Sequence, residues 1–155
     1  MRSHMRTTCP SSVAGKSPSI PVTMKAPKAE WFRRHSSQVV GPLNWVAASG
    51  VRGLESLTLA LDRKAAHDRT FTVRLVFMEP DPLGPGQRRF HVLLQGREVL
   101  RNLDIVAEAG RPLRSLVKEF RAVRVTESLH IRLVASGDLP TVLCGVEVIE
   151  EPPAR

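Results

Sequence analysis

The sequence predicts an all-β fold, an antiparallel β-sandwich, on three observations. Its 155 residues suffice for one ordinary domain and exclude two. Hydrophobic residues recur with a period of two, not 3.6, in run after run. Turn chemistry punctuates those runs at short intervals, in Pro80-Asp81-Pro82-Leu83-Gly84-Pro85-Gly86, Gly110-Arg111-Pro112 and Ser136-Gly137-Asp138-Leu139-Pro140. About seven or eight short strands so spaced hide their apolar faces by packing two sheets together.

Residues 1–29 are rich in Ser, Thr, Pro and Lys and poor in large apolar groups, so they read as a disordered leader or linker. The sandwich is expected over residues 30–151. Leu54 to Leu61 alternates through Leu57, Leu59 and Leu61. Thr70 to Met78 puts Phe71, Val73, Leu75 and Phe77 on one face and Thr72, Arg74 and Val76 on the other, a half-buried strand. Phe90, Val92 and Leu94 alternate up to Gln95-Gly96 and the pattern resumes at Val99-Leu100, which reads as a hairpin. Further strands are expected at Leu116 to Val125, at Ser128 to Val134 and at Val142 to Ile149. Leu103 to Ala109 has helical propensity, but Gly110 and Pro112 stop it, and it reads as an irregular excursion between strands.

At 42% hydrophobic and 25% charged residues the chain has the composition of a folded domain. No run approaches the roughly 18 to 20 apolar residues of a membrane-spanning helix. The basic start has no apolar h-region, so no signal peptide is expected. The net charge of +8 raises nucleic acid as a partner, yet Arg2, Arg6, Lys16, Lys25 and Lys28, with no acid among residues 1–28, account for five of those charges. The remainder is mildly basic, no groove-reading motif stands out in it, and the chain's lack of Tyr and its 5% aromatics weaken the case for a stacking platform. Weak electrostatic binding by the tail is the most that this charge implies.

The two cysteines, Cys9 and Cys144, build neither a disulfide framework nor a zinc site, and Cys144 reads as a small core hydrophobe. The histidines His4, His35, His67, His91 and His130 are scattered, and no metal, cofactor or phosphate-loop motif occurs. Glu79/Asp81 and Asp104/Glu108 are the only carboxylate pairs worth testing as acid and base, and both fit solvated or turn-capping roles better. The chain therefore reads as a binding module without a cofactor. Loops on a rigid scaffold would carry the binding, and Trp31, Phe32, Asn44, Trp45, Asp81, Asn102, Asp104 and Asp138 are the residues suited to gripping a sugar. Trp45, just ahead of the first clear strand, reads equally as core.

Phe71 to Glu150 also resembles a known family. A strand ends in Phe77-Met78-Glu79, a loop closes with Gly86-Gln87-Arg88-Arg89-Phe90, Gln95-Gly96 stands where Asn-Gly is common, and Leu103-Asp104-Ile105 and Leu143-Cys144-Gly145-Val146-Glu147-Val148 follow in order. This order resembles malectin and malectin-like carbohydrate-binding domains, with a coverage of roughly residues 45 to 150, and Trp31 to Val51 looks like versions of this domain found in large multidomain bacterial proteins. The resemblance implies a jelly-roll-like, galactose-binding-like sandwich that binds a glucose-type oligosaccharide without catalysis through loops at one end. It further implies an extracellular or periplasmic setting. In the animal lectin of the family, aromatics after the strand ending in Ala-Glu and an Asp in the last loop line the sugar site. Asp138 matches that Asp, whereas the loop here reads Pro80-Asp81-Pro82-Leu83 and brings no ring. His91 replaces an acid common in the family. The expected ligand-binding residues are Asp138, Asp81, Glu79, Asn44 and Trp45. The alternative is a protein-interaction or structural accessory domain that has lost sugar binding.

Overall fold

The computed structural model describes residues 4–8, 20–61 and 67–153. One sheet has the order β1 (His4–Thr8), β12 (Gly145–Glu150), β6 (Arg69–Met78), β9 (Ser115–Val125). The second has the order β2 (Val22–Lys25), β5 (Ser56–Ala60), β10 (Ser128–Ala135), β7 (Phe90–Leu94), β8 (Arg97–Leu103). All their neighbours are antiparallel. The inward residues of β6, namely Phe71, Val73, Leu75 and Phe77, join Leu57, Leu59, Leu129, Ile131, Leu133, Phe90 and Val92 in one buried core. Phe77 and Phe90 meet across the two sheets, ring centroids 5.9 Å apart. The fold is the antiparallel β-sandwich that the period of two predicts.

Two differences from the expectation lie at the start of the chain. β2 falls within the expected leader yet pairs with β5, and Val22 and Met24 take the register of Leu59 and Leu57 on the core-facing side. β1 pairs with β12 from His4↔Ile149 to Thr8↔Gly145. The rest of the expected leader, residues 1–3 and 9–19 with Cys9, lies outside the described residues.

A small third sheet has the order β11 (Val142–Leu143), β4 (Ser49–Arg52), β3 (Glu30–Arg33), and a one-turn helix α1 (Asn44–Ala47) lies in the connection from β3 to β4. This layer covers the outer side of the last part of β6, which is why Val76 and Met78, on the polar side by alternation, are buried. Gly145 makes the approach possible: a Cβ there would stand 2.5 Å from Val46 Cγ1. The expected strand over Val142 to Ile149 is in fact two. Leu143 pairs with Val51 in the small sheet, Cys144 donates its N–H to the Val76 carbonyl at 2.9 Å, and Gly145 begins pairing with β6.

The hairpin β7–β8 turns on Gln95 (φ 51°) and Gly96 (φ 77°), the paired positive φ values of a type I′ turn. The expected irregular excursion is a short helix, α2 (Ile105–Ala109). Asp104 accepts the Ala107 N–H at 3.0 Å as its N-cap, and Gly110 ends it in the left-handed region at φ 92°. β9 carries an extra residue: Val123 pairs with Phe71 and Phe120 with Val73, leaving Arg121 and Ala122 opposite Thr72. Ala122 takes φ 54°, its N–H donates to Glu151 Oε1 at 2.9 Å, and the Thr72 hydroxyl donates to the same oxygen at 2.8 Å.

Candidate functional site

The antiparallel registers bring the end of β6, the starts of β7 and β5, and the ends of β10 and β4 to one end of the sandwich. The loops 53–55, 79–89, 104–114 and 136–141 leave from that end. Glu79 directly follows Met78 and is 0% exposed, where an ionised carboxylate is tolerated only if fully paired.

Arg88, 4% exposed, pairs it. Its Nε donates to Glu79 Oε2 at 2.8 Å and its Nη2 to Glu79 Oε1 at 3.3 Å. The same Nη2 donates to Asp81 Oδ2 at 2.8 Å, while Nη1 donates to the Pro140 carbonyl at 2.5 Å. Arg52, at the end of β4, closes the other side with Nε to Asp81 Oδ2 at 2.9 Å and Nη2 to Oδ1 at 2.6 Å. Its guanidinium carbon lies 5.1 Å from the centre of the buried Phe32 ring. The hydrogen bond from Arg52 is the chief cause that holds the Asp81 carboxyl below the usual carboxylate range, against the opposing effect of burial. Arg34 Nη2 donates to the Pro80 carbonyl at 3.0 Å and fastens the same loop from the connection ahead of α1.

The loop 136–141 is fixed at both roots. Ser136 donates its N–H to the Arg89 carbonyl at 3.0 Å, and the Thr141 carbonyl accepts from the Gly53 N–H at 2.9 Å. The Thr141 hydroxyl donates to the Leu54 carbonyl at 2.6 Å. Asp138 stands exposed between these roots, with no hydrogen bond or ion pair among the described residues.

The five expected ligand residues thus divide. Glu79, Asp81 and the roots of the Asp138 loop come together through Arg88. Glu79 is sealed from solvent and both oxygens of Asp81 are engaged, so in this structure these two fasten loops. Asn44 and Trp45 belong to a different place, the helix α1. Asn44 Nδ2 donates to the Ser36 and Val39 carbonyls at 3.2 and 3.3 Å and shapes its own connection. Trp45 is 47% exposed, which corrects the reading of it as core: α1 turns Ala47 inward instead. Trp31, on the edge strand β3, is 48% exposed. Asp104 also receives the Gly86 N–H, so it secures the tip of the 79–89 loop as well as capping α2.

Beside the anchored 136–141 loop lies an open groove of about 720 Å³. Pro27, Lys28, Ser56, Arg132 to Ala135 and Pro140 are among its lining residues. Lys25 and Glu55 also line it and pair with each other at 3.1 Å. Sequence reasoning missed these cations because Lys25 and Lys28 fell within the expected leader. The available signal was Val22-Thr23-Met24, a short alternation just ahead of them.

A family model described as the malectin domain matches residues 56–149, more than half of the chain. No curated protein matches. Among solved structures, the beta-glucuronidase of Bacteroides uniformis superposes with a TM-score of 0.67 at 13% identity, covering 84% of this chain and 14% of that one. The ANXUR1 extracellular domain from Arabidopsis thaliana gives a TM-score of 0.68 at 14% identity, covering 83% of this chain and 40% of that one. A chain in the structure of plant peptide RALF23 in complex with FER and LLG2 gives 0.62 at 17% identity, covering 77% and 38%. The chain therefore spans a minor part of each of these structures, and at such identities the likeness is one of fold. With the loop-end geometry and the match over residues 56–149, this chain belongs to the malectin domain family.

Proposed function

We propose that the protein is a non-catalytic carbohydrate-binding module whose ligand face is the loop end of the sandwich. The observation that carries this reading is the open groove of about 720 Å³ beside a loop clamped at both roots; Asp138, at that loop's exposed tip and outside the groove lining, has no side-chain partner among the described residues. Its volume falls in the usual range of small-ligand sites, about 300 to 1,000 Å³. Asp138 accepts hydrogen bonds from sugar hydroxyls, and the exposed Pro27 and Pro140 meet the C–H faces in place of aromatic rings. Glu79 and Asp81 act at one remove, by holding the loops. Membership of a carbohydrate-binding family supports the same reading.

One observation favours a second reading, a protein-interaction module: the exposed indoles of Trp31 and Trp45 lie outside the groove lining, and aromatic side chains of this kind anchor protein interfaces. Protein-observed NMR titration of the full chain with maltose, cellobiose, galactose and a mixed glycan pool separates the two. Shifts gathered on residues 53–56 and 132–141 are expected. Silence across the pool overturns the carbohydrate reading and sends the search to protein partners.

A further inference from the structure

We propose that the loop-end groove selects acidic saccharides, seating a carboxylate- or sulfate-bearing sugar unit between Lys28 and Arg132. This rests on the carbohydrate-binding reading and narrows it to a ligand class. The groove's charge is the ground for it. Among the guanidinium groups of the loop end, Arg88 is engaged with Glu79 and Asp81, Arg52 with Asp81 and Arg34 with the Pro80 carbonyl, while the exposed Arg89 and Arg114 lie outside the groove lining. Within the groove, Glu55 is the one acid among the lining residues, and Lys25 neutralises it at 3.1 Å. Lys28 and Arg132 line the same groove, and neither has a side-chain partner among the described residues.

Two uncompensated cations on a concave surface focus positive potential there. A neutral hexose gains little from them. A carboxylate or sulfate gains charge-assisted hydrogen bonds, and the planar fork of Arg132 suits two oxygens at once.

Both cations are carried on fixed backbone. Arg132 sits on β10, the central strand of its sheet, with Ser56 and Leu93 as its neighbours across the two ladders. Lys28 lies in the turn between β2 and β3, where the Ala29 N–H donates to the Ala26 carbonyl at 3.2 Å. Gly53 lets that turn approach, because a Cβ there would stand 2.7 Å from the Lys28 carbonyl oxygen. A turn and a strand carry the two cations on one groove without side-chain ties among the described residues.

Calorimetry on the full chain with cellotetraose, its C6-carboxylated counterpart and its sulfated counterpart tests the proposal. Binding of an acidic tetramer about tenfold tighter than cellotetraose is expected, weakening with added salt. Lys28→Ala and Arg132→Ala should each remove most of that advantage, while Arg124→Ala, an exposed arginine on β9, should leave it intact. Equal binding of the three tetramers overturns the acid selectivity and leaves the carbohydrate reading standing. No binding of any tetramer overturns both. Acid selectivity that Arg124→Ala lowers as much as Arg132→Ala does would come from the overall charge of the chain and overturns the groove as its source. Which acidic tetramer binds tighter distinguishes carboxylate from sulfate.

Discussion

The two flanks of the 136–141 loop hold the same kinds of side chain in opposite conditions. On one flank Arg88 and Arg52 are locked onto Glu79 and Asp81, and Arg88 also grips the root of the loop at Pro140. On the other flank Lys28 and Arg132 face an open groove without partners among the described residues. Burial makes the difference. A charge out of water must be matched by protein, so it becomes architecture, whereas a charge left at the surface keeps its water and can exchange it for a ligand. The latch flank should therefore answer to stability measurements and the groove flank to binding measurements.

The sharpest break of that contrast is Arg88→Ala. It leaves the buried Glu79 carboxylate unpaired and should lower stability by about 3 to 5 kcal/mol in urea denaturation. The double variant Glu79→Gln/Arg88→Met, which removes both charges, should cost less than the single one. If it costs more, packing and not charge pairing is what Arg88 contributes.

Asp81→Asn comes next, at about 1 to 3 kcal/mol, because two guanidinium groups lose their charged acceptor. The folded protein holds the Asp81 carboxyl below its unfolded value, chiefly through Arg52. Its contribution is accordingly complete above about pH 4 and is lost as pH falls through the depressed folded value. The difference in stability between the native chain and Asp81→Asn should then be flat from neutral pH down to about pH 4 and shrink in more acid solution. A difference that grows on acidification would reverse the assignment.

The smallest effects on stability should come from the groove flank and the loop tip. Asp138→Ala, Lys28→Ala and Arg132→Ala should each change stability by no more than about 0.5 kcal/mol. Asp138→Ala should nonetheless weaken glycan binding several-fold in the NMR titration. A large loss of stability in Asp138→Ala would erase the distinction between carboxylates that fasten and those that read.

The strands of the sandwich were legible because each has one buried and one solvated face, and Phe71-Val73-Leu75-Phe77 or Leu129-Ile131-Leu133 shows that contrast directly. Legibility failed where both faces are covered. Val76 and Met78 gave a misleading parity because α1 and the small sheet lie over them, and Val142 to Ile149 read as one strand although its halves belong to different sheets. The ion-pair latch was hidden for another reason. Glu79 and Arg88 stand nine residues apart across a loop and Arg52 29 residues from Asp81, and only burial makes their pairing obligatory. A hint lay in Glu79 closing an apolar run and Arg88 standing just ahead of the next. Asp138 could be picked out from the family resemblance, whereas nothing in composition marked Arg132 as different from its solvated neighbours.

The bulge in β9 has a consequence for how this domain behaves among copies of itself. β9 is an eleven-residue strand on the rim of its sheet, a length at which an unpaired ladder invites a stranger's backbone to continue it. At Ala122 the strand leaves the regular ladder, and its N–H is taken by the Glu151 carboxylate. Glu119, Arg121 and Arg124 add charge along the same stretch. A bulged and charged rim of this kind disfavours edge-to-edge pairing between copies of the domain.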